Sequence, residues 1–223
     1  MKNSKRVIAL ILTVILTIAS ASSVVFADID YSQWNSQANY PSDVVGTPLF
    51  TSVKYLIDKK ILTGYSDGTF KPANSITRAE IAVAVAKATN RTANLDAMAQ
   101  KDVFKDLSGY DWAKGYINAL VDAGMIKGVS ATTYAPGKNI SYAELITILA
   151  RMNSGAASTV ESSGTWPTNY IQYVQMYNYL GDVTVTDWNA PATRGDTAKL
   201  LYRFLPKKAS STTTSAISVD LKI

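Results

Sequence analysis

The chain has 223 residues, with 22 Lys and Arg against 17 Asp and Glu, and contains neither cysteine nor histidine. Without cysteine there is no disulfide and no thiol nucleophile; without histidine the commonest general base and metal ligand are missing, so serine–histidine triads and histidine zinc sites are excluded. The formal charge of +5 is interspersed along the chain, with no basic stripe of the kind that neutralises nucleic-acid phosphates, so no nucleic-acid partner is expected.

In chain order, Lys2, Lys5 and Arg6 precede a largely apolar run, Val7 to Leu12 and Val14 to Ala19, and small residues follow as far as Ala27. This reads as a secretory signal peptide, residues 1–27. The apolar stretch is shorter than the roughly 20 residues that cross a bilayer, so no stable membrane span is expected after cleavage. Cleavage removes three bases and no acid, leaving 19 basic residues (22 less 3) against 17 acidic in 196 residues (223 less 27). A chain of that length buries a core without covalent staples.

A shift of 64 residues then superposes Gly64 to Lys87 on Gly128 to Arg151 without a gap. Phe70 meets Tyr134, Pro72 meets Pro136 and Ile76 meets Ile140, while Val53, Leu56 and Leu62 meet Ile117, Leu120 and Ile126. A third, shorter copy follows when Val174, Tyr177 and Val183 are set on Ile117, Leu120 and Ile126, at an offset of 57. Thr193 then lies 52 residues after Ser141, which implies five residues missing between its helices. Each copy reads as an apolar-striped helix, a turn and a second striped helix. In the first copy, Tyr65 to Phe70 with Asp67-Gly68 at its tip reads as a short β-hairpin-like loop. Residues 91–102 and 153–165 are polar connections, the former with room for a helical turn over Ala93 to Gln100; 207–223 read as a flexible C-terminal tail. A two-helix unit cannot bury its apolar faces alone, so the copies are expected to share one core with approximate threefold symmetry.

The second helix of each copy opens on a shared motif. In Ile76-Thr77-Arg78-Ala79-Glu80-Ile81, Thr77 caps the amides, Glu80 completes a capping box and Ile76 staples onto Ile81. Ser141 and Glu144 repeat the device; Thr193 and Asp196 form a weaker one. Arg78 and Arg194 have no such task, since the helix dipole disfavours a cation in the first turn by roughly 0.3 to 1 kcal/mol. Beside free helix amides an arginine makes a carboxylate or phosphate site; a solvated arginine, or an ion pair with a neighbouring copy, is the alternative.

The run Gly64 to Pro72 followed by Ile76 to Glu80 resembles an S-layer homology (SLH) domain. The second copy is similar through Phe104 to Leu107, Trp112-Ala113, Gly124 to Ile126 and Ser141 to Glu144, and the third through Thr193 to Asp196. The resemblance implies a mainly α fold of three helix-loop-helix repeats in a pseudo-threefold bundle, with repeats at residues 28–90, 103–153 and, in degenerate form, 163–206. It implies a non-enzymatic, secreted module held non-covalently on a bacterial cell wall by an acidic, pyruvylated secondary wall polysaccharide, with no cofactor or metal. Arg78 and Arg194 would contact that ligand in grooves between repeats. Lys71, Asp67 and Gly68 in the first loop, Trp112 and Trp166 as sugar-stacking aromatics or packing residues, and Tyr142 in place of the second copy's arginine complete the candidate set. Ala131-Thr132, standing where the first copy has Asp67-Gly68, is expected to blunt the second loop.

Two rival readings stay open: a glycoside hydrolase using a pair among Asp102, Asp106, Asp111, Glu80 and Glu144, and a surface-layer component or adaptor for another envelope protein.

Overall fold

The computed structural model describes residues 39–206, so the predicted signal peptide and C-terminal tail lie outside the described residues. Within them the chain is mainly α-helical, with eight helices and no strand: α1 (Phe50–Asp58), α2 (Arg78–Ala88), α3 (Leu95–Ala99), α4 (Asp111–Asp122), α5 (Tyr142–Arg151), α6 (Ser154–Ser162), α7 (Thr168–Met176) and α8 (Arg194–Phe204).

The three motif helices, α2, α5 and α8, begin where the capping residues place them. Thr77, Ser141 and Thr193 are extended, and each side chain accepts the amide three residues on. The box is complete for Thr77 with Glu80 and for Ser141 with Glu144. In α8 the Asp196 carboxylate instead accepts the Tyr142 hydroxyl.

The first helices of the copies, α1, α4 and α7, also end alike. A left-handed residue, Lys60 (φ 57°), Gly124 (φ 69°) or Asn178 (φ 52°), follows each. The next amide closes the helix end: Ile61 onto the Leu56 carbonyl at 2.8 Å, Met125 onto Leu120 at 2.9 Å, Tyr179 onto Val174 at 2.9 Å. Val174 therefore answers to Leu120, at an offset of 54 rather than the expected 57. Nineteen residues separate Val174 from Thr193 against 21 from Leu120 to Ser141, so two residues are missing, not five. Tyr177, matched to Leu120 in the sequence, is 62% exposed, whereas Leu120 is fully buried. An apolar pattern does not distinguish an aromatic just past a helix end from one facing the core.

Helix packing runs between copies. Helix α2 lies on α4, α5 on α7, and α8 returns to α1, with α8 also against α5. The residues ahead of the three motif helices are joined in a ring: Ile140 N–H donates to the Ile76 carbonyl (3.0 Å), Ala192 N–H to Ile140 (2.8 Å) and Ile76 N–H to Ala192 (3.2 Å). All three side chains are fully buried. Isolated antiparallel bridges flank the ring at Ser75 with Thr193, Thr77 with Asn139 and Ser141 with Pro191.

The loop before each ring position is built from the same parts in the first two copies. Asp43 accepts the amides of Phe70 and Lys71 (2.7 and 2.8 Å), and Asp106 those of Tyr134 and Ala135 (2.9 and 2.7 Å). The first turn closes by Tyr65 N–H onto Thr69 (2.7 Å), with Gly68 at φ 78°. The second closes in the same way, Val129 N–H onto Thr133 (2.9 Å), so the loss of Asp-Gly does not blunt it. The first connection holds the short helix α3; the Met98 carbonyl within it and the Lys101 carbonyl just beyond it accept the buried Asn118 side-chain amide. The second, expected as a polar connection, contains α6: it buries Val160 and lies between α5 and α7.

Because the Ile140 side chain is fully buried where the ring joins all three copies, truncating it leaves a cavity at their junction while its backbone hydrogen bonds remain. Ile140→Ala is expected to lower the unfolding free energy by about 2–5 kcal/mol, measured by urea denaturation.

Candidate functional site

Two surface grooves are related by the repeat. The first, a cavity of about 530 Å³, is lined by the Thr63-Gly64-Tyr65 segment, by Glu80, Val83 and Lys87 on one face of α2, by Tyr110 and Trp112 at the start of α4, and by Arg194. The second, about 370 Å³, is lined by Lys127-Gly128-Val129, by Glu144, Thr147 and Arg151 on α5, by Trp166 just before α7, and by Arg78. Each groove draws on all three copies. Arg194 and Trp112 share one, and Arg78 and Trp166 the other. The tryptophans are 52% and 54% exposed, so neither serves as packing at the base of the bundle.

The arginines are not solvated. Arg78 is 4% exposed; it donates through Nε to the Tyr134 carbonyl (2.9 Å) and through Nη2 to the Lys127 carbonyl (2.9 Å), and Nη1 meets Glu144 at 3.1 Å. Arg194, 5% exposed, is held by the equivalent carbonyls of Phe70 and Thr63, both at 3.0 Å, with Glu80 at 3.5 Å. Their guanidinium groups lie over Tyr134 (4.6 Å) and over Tyr65 and Phe70 (4.7 and 4.8 Å). Of the two alternatives left open for these residues, the tie to a neighbouring copy is the one present.

The expected anion cradle of free helix amides does not exist. In α2, the amides of Arg78 and Ala79 donate to the Lys138 and Pro136 carbonyls (2.9 and 3.0 Å), and that of Glu80 to Thr77 Oγ1 (3.2 Å). In α8, Arg194 and Gly195 donate to Asn74 and Pro72 (2.8 and 2.9 Å). The loop of the next copy occupies the position an anion would take.

Other candidates fall elsewhere. Tyr142 is 8% exposed and its hydroxyl donates to Asp196, so it presents no face for a sugar; burial and that hydrogen bond push its pKa up. Lys71, Asp67 and Gly68 sit in the first turn and line neither groove. Lys71 pairs with Asp67 at 2.8 Å and covers Tyr65 at 4.5 Å. Among the carboxylates considered for hydrolysis, Asp106 accepts two amides, Glu80 and Glu144 cap helices and meet arginines, and Asp102 pairs with Lys114. No acidic cluster among the described residues could hold a metal ion, and no described helix is long and apolar enough to cross a membrane.

The basic end of each groove was missed. Lys87 and Arg151 stand seven residues after Glu80 and Glu144, on the same helix face and 64 residues apart. Their shared register was visible at the end of the gapless match. Arg151 is engaged by Glu161 (2.7 Å); Lys87 has no side-chain hydrogen bond or ion pair within the described residues. In the third copy the corresponding Arg203 bonds the Leu180 carbonyl (2.6 Å) and Asp182.

Residues 42–82 and 103–146 match the S-layer homology domain. Over 131 residues the chain is 34% identical to the cellulosome-anchoring protein of Acetivibrio thermocellus, covering 58% of this chain and 26% of that protein. Over 208 residues it is 28% identical to the surface-layer 125 kDa protein of Lysinibacillus sphaericus (87% and 16%). An endoglucanase of a Bacillus species is 31% identical over 144 residues (64% and 15%). The chain thus spans 26% or less of the length of these relatives.

Two measurements test the site geometry. Arg78→Ala strands two carbonyls and a carboxylate in a buried setting and should cost about 3 kcal/mol of stability, read from urea denaturation, so a loss of binding in that variant is interpretable only beside its unfolding curve. The Lys71 ammonium, assisted by Thr69, holds the Asp67 carboxyl at about 2. In Lys71→Met an NMR titration should find it raised toward the ordinary 3.8. Because the folded-state value is depressed, any stabilisation from this pair is present above the ordinary value and fades as pH falls through about 2.

Proposed function

The chain is a member of the S-layer homology domain family, a family of cell-surface anchoring domains, and we propose that it binds an acidic secondary polysaccharide of the cell wall, non-covalently and without catalysis, through its two grooves. We read the three copies as SLH repeats around a pseudo-threefold axis, the third degenerate in its loop. Repeats one and two lie within residues 28–90 and 103–153, and repeat three within 163–206, after a cleaved signal peptide.

The observation that carries this reading is the first groove: a half-exposed indole (Trp112), a cation without a partner among the described residues (Lys87) and the rim of a buried arginine (Arg194), contributed by three different copies. An indole face suits the C–H surface of a sugar ring, and an ammonium lining the same groove suits a carboxylate such as a pyruvyl ketal. Arg194 acts here chiefly by fixing, through the Phe70 and Thr63 carbonyls, the loop whose Thr63 to Tyr65 segment lines the groove. The engagement of Glu80, Glu144 and Asp106 in caps and amide bonds supports a binding role rather than hydrolysis.

A second reading, a surface-layer subunit or an adaptor for another envelope protein, draws support from Met176 and Tyr177. They are 77% and 62% exposed at positions where the first copy carries Asp58 and Lys59.

The purified chain should co-sediment with wall sacculi and lose binding when acid treatment strips the secondary polysaccharide. Lys87→Ala should weaken binding on the order of tenfold, the factor expected for about 1.4 kcal/mol from one charge-assisted hydrogen bond, and Trp112→Ala by a similar factor. Binding that survives stripping, or ignores both substitutions, overturns the glycan reading in favour of a protein partner.

A further inference from the structure

The two grooves share their architecture but not the state of their basic ends. In the first, Lys87 is unpartnered within the described residues. In the second, Arg151 donates through Nε to Glu161 at 2.9 Å and reaches the same Oε1 through Nη2 at 2.7 Å; the Tyr170 hydroxyl donates to that oxygen at 3.0 Å. Glu161 belongs to α6, a helix between the second and third copies. The connection between the first and second copies carries α3 instead, and no described carboxylate reaches Lys87. Glu161 remains 43% exposed, so it lies where solvent and solutes can compete for it.

We propose that Glu161 is an intramolecular competitor for the anion subsite of the second groove, its carboxylate holding Arg151 where the first groove leaves Lys87 open to a carboxylated sugar. The inference rests on the glycan reading above and adds that the grooves are unequal for a reason lying outside both. Arg151 and Tyr170 hold the Glu161 carboxyl below its ordinary range, with Lys127 adding a weaker attraction, so the competitor is charged at neutral pH. Of the other charges near this end, Arg78 and Lys138 face Glu144, and Lys127 lines the groove. A ligand carboxylate reaching Arg151 must first displace Glu161, which reduces apparent affinity by the fraction of time Arg151 is free. If that fraction is about a third to a tenth, the handicap is about 3- to 10-fold.

The full chain is titrated with polysaccharide released from wall sacculi by acid, following tryptophan fluorescence. Against the constant background of Trp34 and Trp188, Trp166→Phe leaves Trp112 as the groove tryptophan that reports the first groove, and Trp112→Phe leaves Trp166 to report the second. The second groove should half-saturate at higher concentration than the first. Glu161→Gln, with an unchanged circular dichroism spectrum, should tighten the second groove about 3- to 10-fold and leave the first as it was; Arg151→Gln added to Glu161→Gln should remove the gain. Binding at both grooves with no response to Glu161→Gln, or a weaker second groove in that variant, overturns this inference alone. No binding by the unsubstituted chain overturns the glycan reading and this inference with it.

Discussion

The three backbone hydrogen bonds among Ile76, Ile140 and Ala192 are the constraint on which the rest of the described structure depends. A buried amide bond contributes only about 0.5–1.5 kcal/mol net, but a buried donor left unpaired costs about 1–3 kcal/mol. Since each of the three residues both donates and accepts, no copy can leave the ring without stranding groups in the other two. The ring fixes where the motif helices start, and their first-turn amides then have one set of acceptors, the carbonyls of the next copy's loop. From this follow both the packing of α2 on α4, α5 on α7 and α8 on α1, and the assembly of each groove from three copies.

The same constraint decides what the helix starts can do. A helix N-terminus with open amides attracts anions, and from sequence alone that was a sound use for an arginine placed there. The ring removes it by seating polypeptide on the amides. The grooves lie beside the helix starts, and the proposed binding role falls to the indoles and to the basic residues two turns further along α2 and α5 that line them.

Much of this was legible in the chain. The offset of 64, the caps at Thr77, Ser141 and Thr193, and the apolar stripes follow from local rules, and the helices begin there. Three things were not. The offset of the third copy was misread because Tyr177 passes as a core residue in an apolar pattern, whereas the hydrogen bond from Tyr179 to Val174 marks the true helix end. Helix α6 escaped because its sequence, Ser154 to Ser162, is polar and small, and it is held mainly by Val160 and its neighbours rather than by a stripe. The pairing of Arg194 with Trp112, and of Arg78 with Trp166, depends on the cyclic order of the copies, which no spacing within one copy reveals.

The third copy acts as an internal control on the arginines. Each motif helix faces the loop of the next copy. Arg194 faces the loop of the first copy and binds its Phe70 and Thr63 carbonyls, and Arg78 faces that of the second and binds Tyr134 and Lys127. The motif helix of the second copy faces the third, whose connection is two residues shorter and lacks the turn. There the arginine is replaced by Tyr142, which reaches the Asp196 carboxylate of the neighbouring helix. An arginine therefore stands wherever a full loop offers two carbonyls, and a tyrosine where only the cap carboxylate remains. The ring persists in all three junctions, so it does not need the arginine. What the arginine secures is the loop that lines the groove, and in the binding role proposed for the grooves it would act through their shape as well as through its charge.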